Sequence, residues 1–251
     1  DVLGSRGLGD VYKRQGLTLF QRTGDEYFRI MGGWDVTASP GVTAREGMNK
    51  LTPVTNWRGY CSKYNYAVGT TDGGENAVTG YIFEKMNASD KKDVNDRGNS
   101  KGLNTLLYDF KAYKANFILG DYFVALGAGV TNAKPAMEGG IRTTIDQTAH
   151  IGAVTVIEKG KEKPLQEGRQ SLITFEGQPV WVMQEGKFAY RVLPEFTRKA
   201  FVLTETCPTN WIKRNRGNAK KGDLPQTVDI LRLWVDHGQA SVNDTYGYVV
   251  Y

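Results

Sequence analysis

Short runs of β-branched and aromatic residues, each closed off by glycine, asparagine, aspartate or proline, recur along the whole chain, and this spacing decides its fold class. They fall at Asn116 to Leu119, Tyr122 to Leu126, Arg142 to Gln147, Ala153 to Ile157, Pro179 to Gln184, Phe188 to Leu193, Ala200 to Thr206, Val228 to Asp236 and Tyr246 to Tyr251. Four glycine-bearing connections read as hairpin turns, because glycine supplies the positive φ that tight turns need: Leu119-Gly-Asp-Tyr122, Glu158-Lys-Gly-Lys161, Phe175-Glu-Gly-Gln178 and Gln184-Glu-Gly-Lys187. Few segments sustain a 3.6-residue period, so helices are expected to be few and short. No fixed-period repeat is present, which argues against a propeller or solenoid. On the order of a dozen antiparallel strands then imply an all-β fold of two large packed sheets, since an open twisted sheet of that size splits or curls.

At 251 residues the chain is long enough for a large core, and one big domain is the first expectation. The 30 glycines and 13 tyrosines fit many turns joining strands with half-wet aromatic faces. Hydrophobic residues at 40% and charged residues at 24% exclude a disordered or membrane-embedded composition. The net charge of +5 is spread along the chain and says little about an anionic ligand. Lys213-Arg214-Asn215-Arg216 and Lys220-Lys221 read either as contacts for sulfates or carboxylates or as solvated loop residues. No apolar run nears the roughly 20 residues that span a bilayer, and no signal peptide opens the chain, so a soluble protein with neither membrane nor nucleic-acid partner is expected. Residues 1–15 lack an apolar period and read as a non-native or upstream scar, which leaves 16–251 as the domain. The chain stops inside a strand-like run, so both ends are expected to be those of a fragment. Asn87 to Ser100 and Lys213 to Asp223 are polar surface loops.

Chemistry-bearing motifs are sparse. Cys61 and Cys207 have no metal-type spacing, and one bridge between them stays open. His150 and His237 are far apart and read as hydrogen-bonded structural histidines. No Gly-x-Ser-x-Gly elbow, phosphate-cradling glycine loop or Cys-x-x-Cys occurs, which disfavours hydrolase triads and nucleotide chemistry. In Gly69-Thr-Thr-Asp-Gly-Gly-Glu-Asn-Ala-Val-Thr-Gly80, glycines flank Glu75 and a strand resumes at Ala77. A glutamate on such a turn can reach a ligand or a neighbouring domain, although the same residues also make an ordinary polar hairpin. Trp34 is either a platform for a sugar ring or a core anchor, Arg45 is a fork suited to carboxylate or sulfate, and Trp57-Arg58 repeats the pair.

Four stretches, in this order, resemble polysaccharide lyase family 8, the chondroitin, hyaluronan and xanthan lyases. They are Gly33-Trp-Asp-Val-Thr-Ala-Ser-Pro-Gly-Val-Thr; the turn carrying Glu75, eight residues before Phe83; Ala112 to Val130 with Arg142-Thr-Thr-Ile-Asp-Gln-Thr148; and Leu233-Trp-Val-Asp-His-Gly with Tyr246-Gly-Tyr-Val-Val250. The likeness runs from about Gly24 to Tyr251. Val36, Thr37, Ala38 and Asn116 depart from the family pattern, so the identity of the substrate stays open.

The resemblance implies a galactose-mutarotase-like super-sandwich and β-elimination on a uronate-containing acidic polysaccharide of glycosaminoglycan type. In such lyases the asparagine, histidine, tyrosine and arginine that do the chemistry come from an upstream α-helical toroid domain. The sandwich supplies a glutamate, here Glu75, with Asn76, Trp34, Arg45, Trp57 and Arg58 as candidate substrate contacts. It also implies an extracellular or periplasmic protein, inactive without its toroid and C-terminal domains. No cofactor is expected; Asp121 and Tyr122 match a region where some members bind a divalent cation, without clearly registered carboxylates before them. A non-catalytic carbohydrate-binding sandwich is the competing expectation.

Overall fold

The computed structural model describes residues 16–47, 67–84, 110–168, 171–173, 178–211 and 224–251. Residues 1–15, expected to be a scar, the stretches 87–100 and 213–223, expected to be loops, and Trp57, Arg58 and Cys61 lie outside the described residues.

Among the described residues, the 3-10 turn Val36–Ala38 precedes a succession of β-strands. The strands are β1 Thr43–Arg45, β2 Ala67–Thr71, β3 Asn76–Glu84, β4 Phe110–Leu119, β5 Tyr122–Asn132, β6 Ile141–Ala149, β7 Val154–Glu158, β8 Lys161–Pro164, β9 Ser171–Ile173, β10 Val180–Gln184, β11 Ala189–Val192, β12 Ala200–Pro208, β13 Thr227–Gly238 and β14 Asp244–Val250. They form a five-stranded sheet, β1-β6-β13-β12-β9, and a nine-stranded sheet, β2-β3-β4-β5-β14-β11-β10-β7-β8. Every recorded pairing is antiparallel. The two-sheet, all-β sandwich expected from the run spacing is what forms.

Three of the four glycine connections are hairpins. Leu119 pairs with Tyr122 across Gly120, whose φ is 58°. Glu158 pairs with Lys161, and the two residues between them, Lys159 and Gly160, both have positive φ, the primed-turn conformation that matches strand twist. Lys187 N donates to Gln184 O at 3.0 Å and closes the third. The fourth expectation, a hairpin at Phe175-Glu-Gly-Gln178, falls on residues 175–177, which lie outside the described residues. The strands on either side do not pair with each other: β9 pairs with β12, and β10 with β7 and β11.

The core fills the space between the sheets. Ile141, Val202, Leu231, Leu233 and Val235 of the smaller sheet pack with Val182, Tyr190, Val192, Tyr246, Tyr248 and Val250 of the larger one. Burying each such side chain contributes about 1.5–3 kcal/mol. Gly127 is required by this packing, because a Cβ there would lie 1.9 Å from Cε1 of Tyr246. Asp146 and Lys114 are among the ionisable groups inside. Asp146 accepts from Tyr190 Oη at 2.6 Å and Tyr27 Oη at 3.0 Å, and burial pushes its carboxyl up to about 7. Lys114 donates to Gly41 O at 2.8 Å between the rings of Phe83 and Tyr246, and burial lowers its ammonium to about 7.

β6 is buried along its whole length although it reads Ile-Arg-Thr-Thr-Ile-Asp-Gln-Thr-Ala. The segment before β1 covers its outer side and supplies partners for its polar groups. Gln147 Nε2 donates to Asp35 O and Ala38 O, both at 2.9 Å, Arg142 pairs with Asp35, and Thr148 Oγ1 donates to Glu26 O at 2.9 Å. That segment is in turn tied down at Glu26, which is 1% exposed. Burial would raise its carboxyl, but the backbone N–H groups of Thr23, Arg22 and Gly24 outweigh this and hold it at about 2.

Candidate functional site

β2 is an edge strand, and the turn that joins it to β3 carries Glu75 at the tip. The turn is organised by Asp72. Its carboxylate accepts from Gly74 N at 2.8 Å, from Asn76 N at 3.2 Å and from Asn76 Nδ2 at 2.6 Å. Thr71 closes the base: its Oγ1 donates to Asn76 O at 2.8 Å and accepts from Gly73 N at 3.1 Å. Gly73 has φ of 82°, which only glycine adopts without strain. The Asn76 amide beside Asp72, with the N–H groups of Gly74 and Asn76, holds the Asp72 carboxyl below its ordinary value.

Glu75 itself is exposed and makes no hydrogen bond or ion pair among the described residues. The arrangement is therefore a rigid, self-bonded loop that presents one unengaged carboxylate. Asn76, expected to touch substrate, spends its amide on Asp72 and so fixes the turn. Asp72 was within the segment singled out in the sequence, but nothing local distinguishes it from Glu75 as the one that turns inward.

Asn76 pairs with Leu119, so the Glu75 turn lies at the same end of the sheet as the β4–β5 turn with Asp121. Asp121 and Tyr122 are exposed there, and the Tyr122 ring stacks on Tyr251 at 5.0 Å. No group of three or more histidine, cysteine, aspartate or glutamate side chains that could hold a metal occurs among the described residues. A lone carboxylate at Asp121 does not fit a divalent cation, which takes several oxygen ligands.

The remaining candidates fall elsewhere. Trp34 is 4% exposed, with Tyr27 edge-on to its ring at 6.0 Å, in a second small core with Ile30, Cys207, Val228 and Ile230. It is the core anchor of the two readings and offers no face to a sugar. Arg45 is fully buried and donates to Asn132 Oδ1 at 2.6 Å and Gly139 O at 2.8 Å, so its fork ties loops together and is closed to a ligand. Cys207 is a free thiol, and burial pushes it up to about 11.

His237 is internal. Its Nδ1 lies 2.7 Å from Asp244 Oδ2 and its Nε2 2.9 Å from Thr143 Oγ1, whose hydroxyl is 2.8 Å from that of Thr43. The order carboxylate, imidazole, hydroxyl looks like a nucleophile relay, but Thr143 is 0% exposed and no substrate reaches it. His150 instead lines a polar cleft of about 690 Å³ at the sandwich rim with Glu167, Glu205 and Asp229. A groove that the sequence did not signal lies on the outer face of the larger sheet. It has a volume of about 520 Å³ and is lined by Trp181, Met183, Tyr251, Ile157, Lys159 and Gln178, among others.

The sequence matches the family model for polysaccharide lyase family 8, super-sandwich domain, over residues 5–251. Chondroitinase-AC of Pedobacter heparinus is 27% identical over 241 residues, which cover 95% of this chain and 29% of that protein. The chain thus spans less than a third of that curated relative's length. Among solved structures, one that reveals the active site of chondroitinase AC lyase with oligosaccharides superposes with a TM-score of 0.70 at 23% identity, over 92% of this chain and 28% of that one. The Streptomyces coelicolor A3 chondroitin AC lyase in complex with chondroitin sulphate gives 0.61 at 22%, over 93% and 25%. A Paenibacillus xanthan lyase gives 0.58 at 21%, over 88% and 19%. At these identities the structural likeness is one of fold.

Proposed function

This chain belongs to polysaccharide lyase family 8 as its super-sandwich domain, and from that premise we propose that it serves a lyase that cleaves a uronate-containing acidic polysaccharide by β-elimination, with Glu75 as its contribution to the active site. In that reaction a base removes the proton at C5 of the uronate, the electron pair forms the C4–C5 double bond, and the C4 oxygen leaves with a proton from an acid. The sugar carboxylate has to be neutralised for the C5 proton to become acidic, and the developing negative charge needs a polar clamp. A helical domain joined to this chain supplies the base, acid and clamp. Glu75 reaches across the cleft to a histidine of that domain and orients its imidazole, as a carboxylate partner fixes a tautomer.

The observation that carries this reading is the pairing of a rigid turn with an unengaged carboxylate: Asp72 and Asn76 satisfy the turn from within, and Glu75 is left pointing outward. A glutamate needed only for solubility would not require the turn around it to be held by four hydrogen bonds to Asp72 and Thr71, three from the backbone N–H groups of Gly73, Gly74 and Asn76 and one from the Asn76 amide. A polymeric substrate is met outside the cell's cytoplasm, so the protein works extracellularly or in the periplasm.

The test joins this chain to the helical domain of a family 8 lyase and follows the ultraviolet absorbance of unsaturated uronate on chondroitin sulfate, hyaluronan and xanthan. Product on at least one polymer, falling by two orders of magnitude or so in the Glu75→Gln variant, is the expected result. A Glu75→Gln protein as active as its parent removes Glu75 from the mechanism. Absence of product on every polymer, with the fold intact, removes the lyase reading.

A further inference from the structure

We propose that the edge strand β2 is a self-association site, through which two copies of this chain pair antiparallel about a two-fold axis at Gly69 and join their larger sheets into one. Such pairing is independent of the lyase reading.

β2 is the outermost strand of the nine-stranded sheet, and all five of its residues, Ala-Val-Gly-Thr-Thr, are exposed. The register decides which of its backbone groups are open. Asp72 N donates to Asn76 O at 3.2 Å, just beyond the facing residues Thr71 and Ala77. Thr71 and Ala77 are therefore a non-hydrogen-bonded pair, and the alternation of an antiparallel ladder makes Thr70–Val78 and Val68–Gly80 the bonded pairs. Ala67, Gly69 and Thr71 then turn their N–H and C=O groups away from β3, and no strand meets them among the described residues. An open row of this kind is a template for another strand.

The spacing of the row selects a second copy of itself. Antiparallel pairing centred on Gly69 sets Ala67 opposite Thr71 of the second copy, Gly69 opposite its counterpart and Thr71 opposite Ala67. Each of these is a bonded pair that exchanges two hydrogen bonds, so every outward group finds a partner. A two-fold contact also brings each charge near the axis against its own copy, so the seam has to be neutral. β2 carries no charge. Beside it on the outer face lie Gly80 and Ala115 in the row of Val68, and Val78 and Phe117 in the row of Thr70. Val68, 55% exposed, meets Thr70 of the second copy across the seam and its own counterpart diagonally.

The opposite edge of the same sheet shows the contrast. β8 reads Lys-Glu-Lys-Pro, and its charges and proline block pairing. β2 has neither device. The two Glu75 turns begin at opposite ends of the seam, roughly 20 Å apart at the usual rise per residue, and stay open to solvent. A five-residue seam is small beside the roughly 1,200–2,000 Å² of a stable interface, so the pairing is weak and depends on concentration, with a Kd of roughly 0.1–1 mM.

Sedimentation velocity of the 251-residue chain from micromolar to millimolar concentration, with hydrogen exchange at both ends of that range, tests this. The expected outcome is a weight-average mass that rises toward that of two chains, with exchange slowed in residues 67–71 and unchanged in the β13–β14 turn. Val68→Lys gives β2 a charge of the kind that β8 carries, on an exposed position where it does not threaten the fold. It is expected to raise Kd about tenfold or more with the melting temperature unchanged. Val242→Lys, at a 71% exposed position on the β13–β14 turn, is expected to associate as wild type does. A chain that stays monomeric to millimolar concentration, association without slowed exchange in β2, equal affinity in Val68→Lys and wild type, or equal weakening by Val242→Lys would each overturn the proposal.

Discussion

The side-chain amide of Asn76 donates to Asp72 at 2.6 Å, and this contact decides which of the turn's acidic side chains faces inward and which stays available. Asp72 is consumed by the turn, and Glu75, three residues on, is not. A substitution at Asp72 should therefore behave as a displaced Glu75. In the joined protein, Asp72→Ala is expected to lower kcat on the polymer by roughly tenfold to a hundredfold, less than Glu75→Gln, because a misplaced group costs less than a missing one. The turn is solvent-exposed, so thermal melting should barely move. A pH–rate profile adds a readout that a general loosening would not shift: loss of the carboxylate that orients the imidazole should move the limb assigned to the histidine.

Lys187 and Glu26 define a second testable link. Lys187, on the β10–β11 turn, reaches the segment before β1, with Nζ 2.5 Å from Asp25 Oδ1 and 3.7 Å from Glu26 Oε1, while Arg22 Nη1 donates to Lys187 O at 3.0 Å. Glu26 is buried and charged, so removing the Lys187 ammonium leaves a carboxylate held by backbone N–H groups and the Thr23 hydroxyl, with no cation beside it among the contacts described. Lys187→Met is expected to lower Tm by roughly 5 °C and to open residues 16–35 to limited proteolysis before the strands are cut. Proteolysis that begins in the strands instead would show that this contact does not hold the segment.

Much of this fold was legible in the sequence because strands and tight turns are local. β-branched runs and Gly-bearing dipeptides located β10 to β14 to within a few residues and three of the hairpins. The Glu75 turn was legible for the same reason, since its glycines flank the carboxylate. What was not legible depends on contacts between residues far apart in the chain. The burial of Trp34 and Arg45 follows from which segment covers β6 and which loop meets Asn132, a partner 87 positions from Arg45. Glu-Gly at 176–177 reads as a hairpin turn, but the strands before and after it, β9 and β10, find their partners in different sheets. The groove at Trp181 arises from β7, β10, β11 and the chain's last residue lying side by side, and no single stretch of sequence contains it.

Asp146 and Lys114 give stability a pH dependence whose sign can be worked out. The Asp146 carboxyl sits near 7 in the folded state and near 3.8 in an exposed chain, so the unfolded state releases the proton first. Stability from this group is full below about 4, falls as pH rises through that window and is level above about 7. Lys114 acts in the next window. Its folded value near 7 lies below the ordinary 10.5, so the unfolded state holds more protons between these values and stability rises with pH there. Together they place a trough near neutrality. Urea midpoints measured from pH 4 to 10 should show the fall abolished in Asp146→Asn and the later rise abolished in Lys114→Met. A wild-type curve that rises monotonically from pH 4 to 7 would contradict the Asp146 assignment.

His237 separates a structural relay from a catalytic one. The imidazole links Asp244, whose carboxyl burial would raise but whose bond to His237 holds below the ordinary range, to the hydroxyl of Thr143 deep in the sandwich. All three are closed to substrate, so the relay's function is to bridge β6, β13 and β14 across the two sheets. His237→Phe keeps the ring volume but takes the imidazole from Asp244 and Thr143, which keep Arg198 at 3.5 Å and the Thr43 hydroxyl, and the loss should be about 2 kcal/mol. Activity of the joined protein per folded molecule should stay within a factor of about two, a change too small to count as a lost catalytic group. Should His237→Phe retain full stability and lose turnover, the imidazole would have to be reached by substrate through a rearrangement of the core, and the structural assignment would fall.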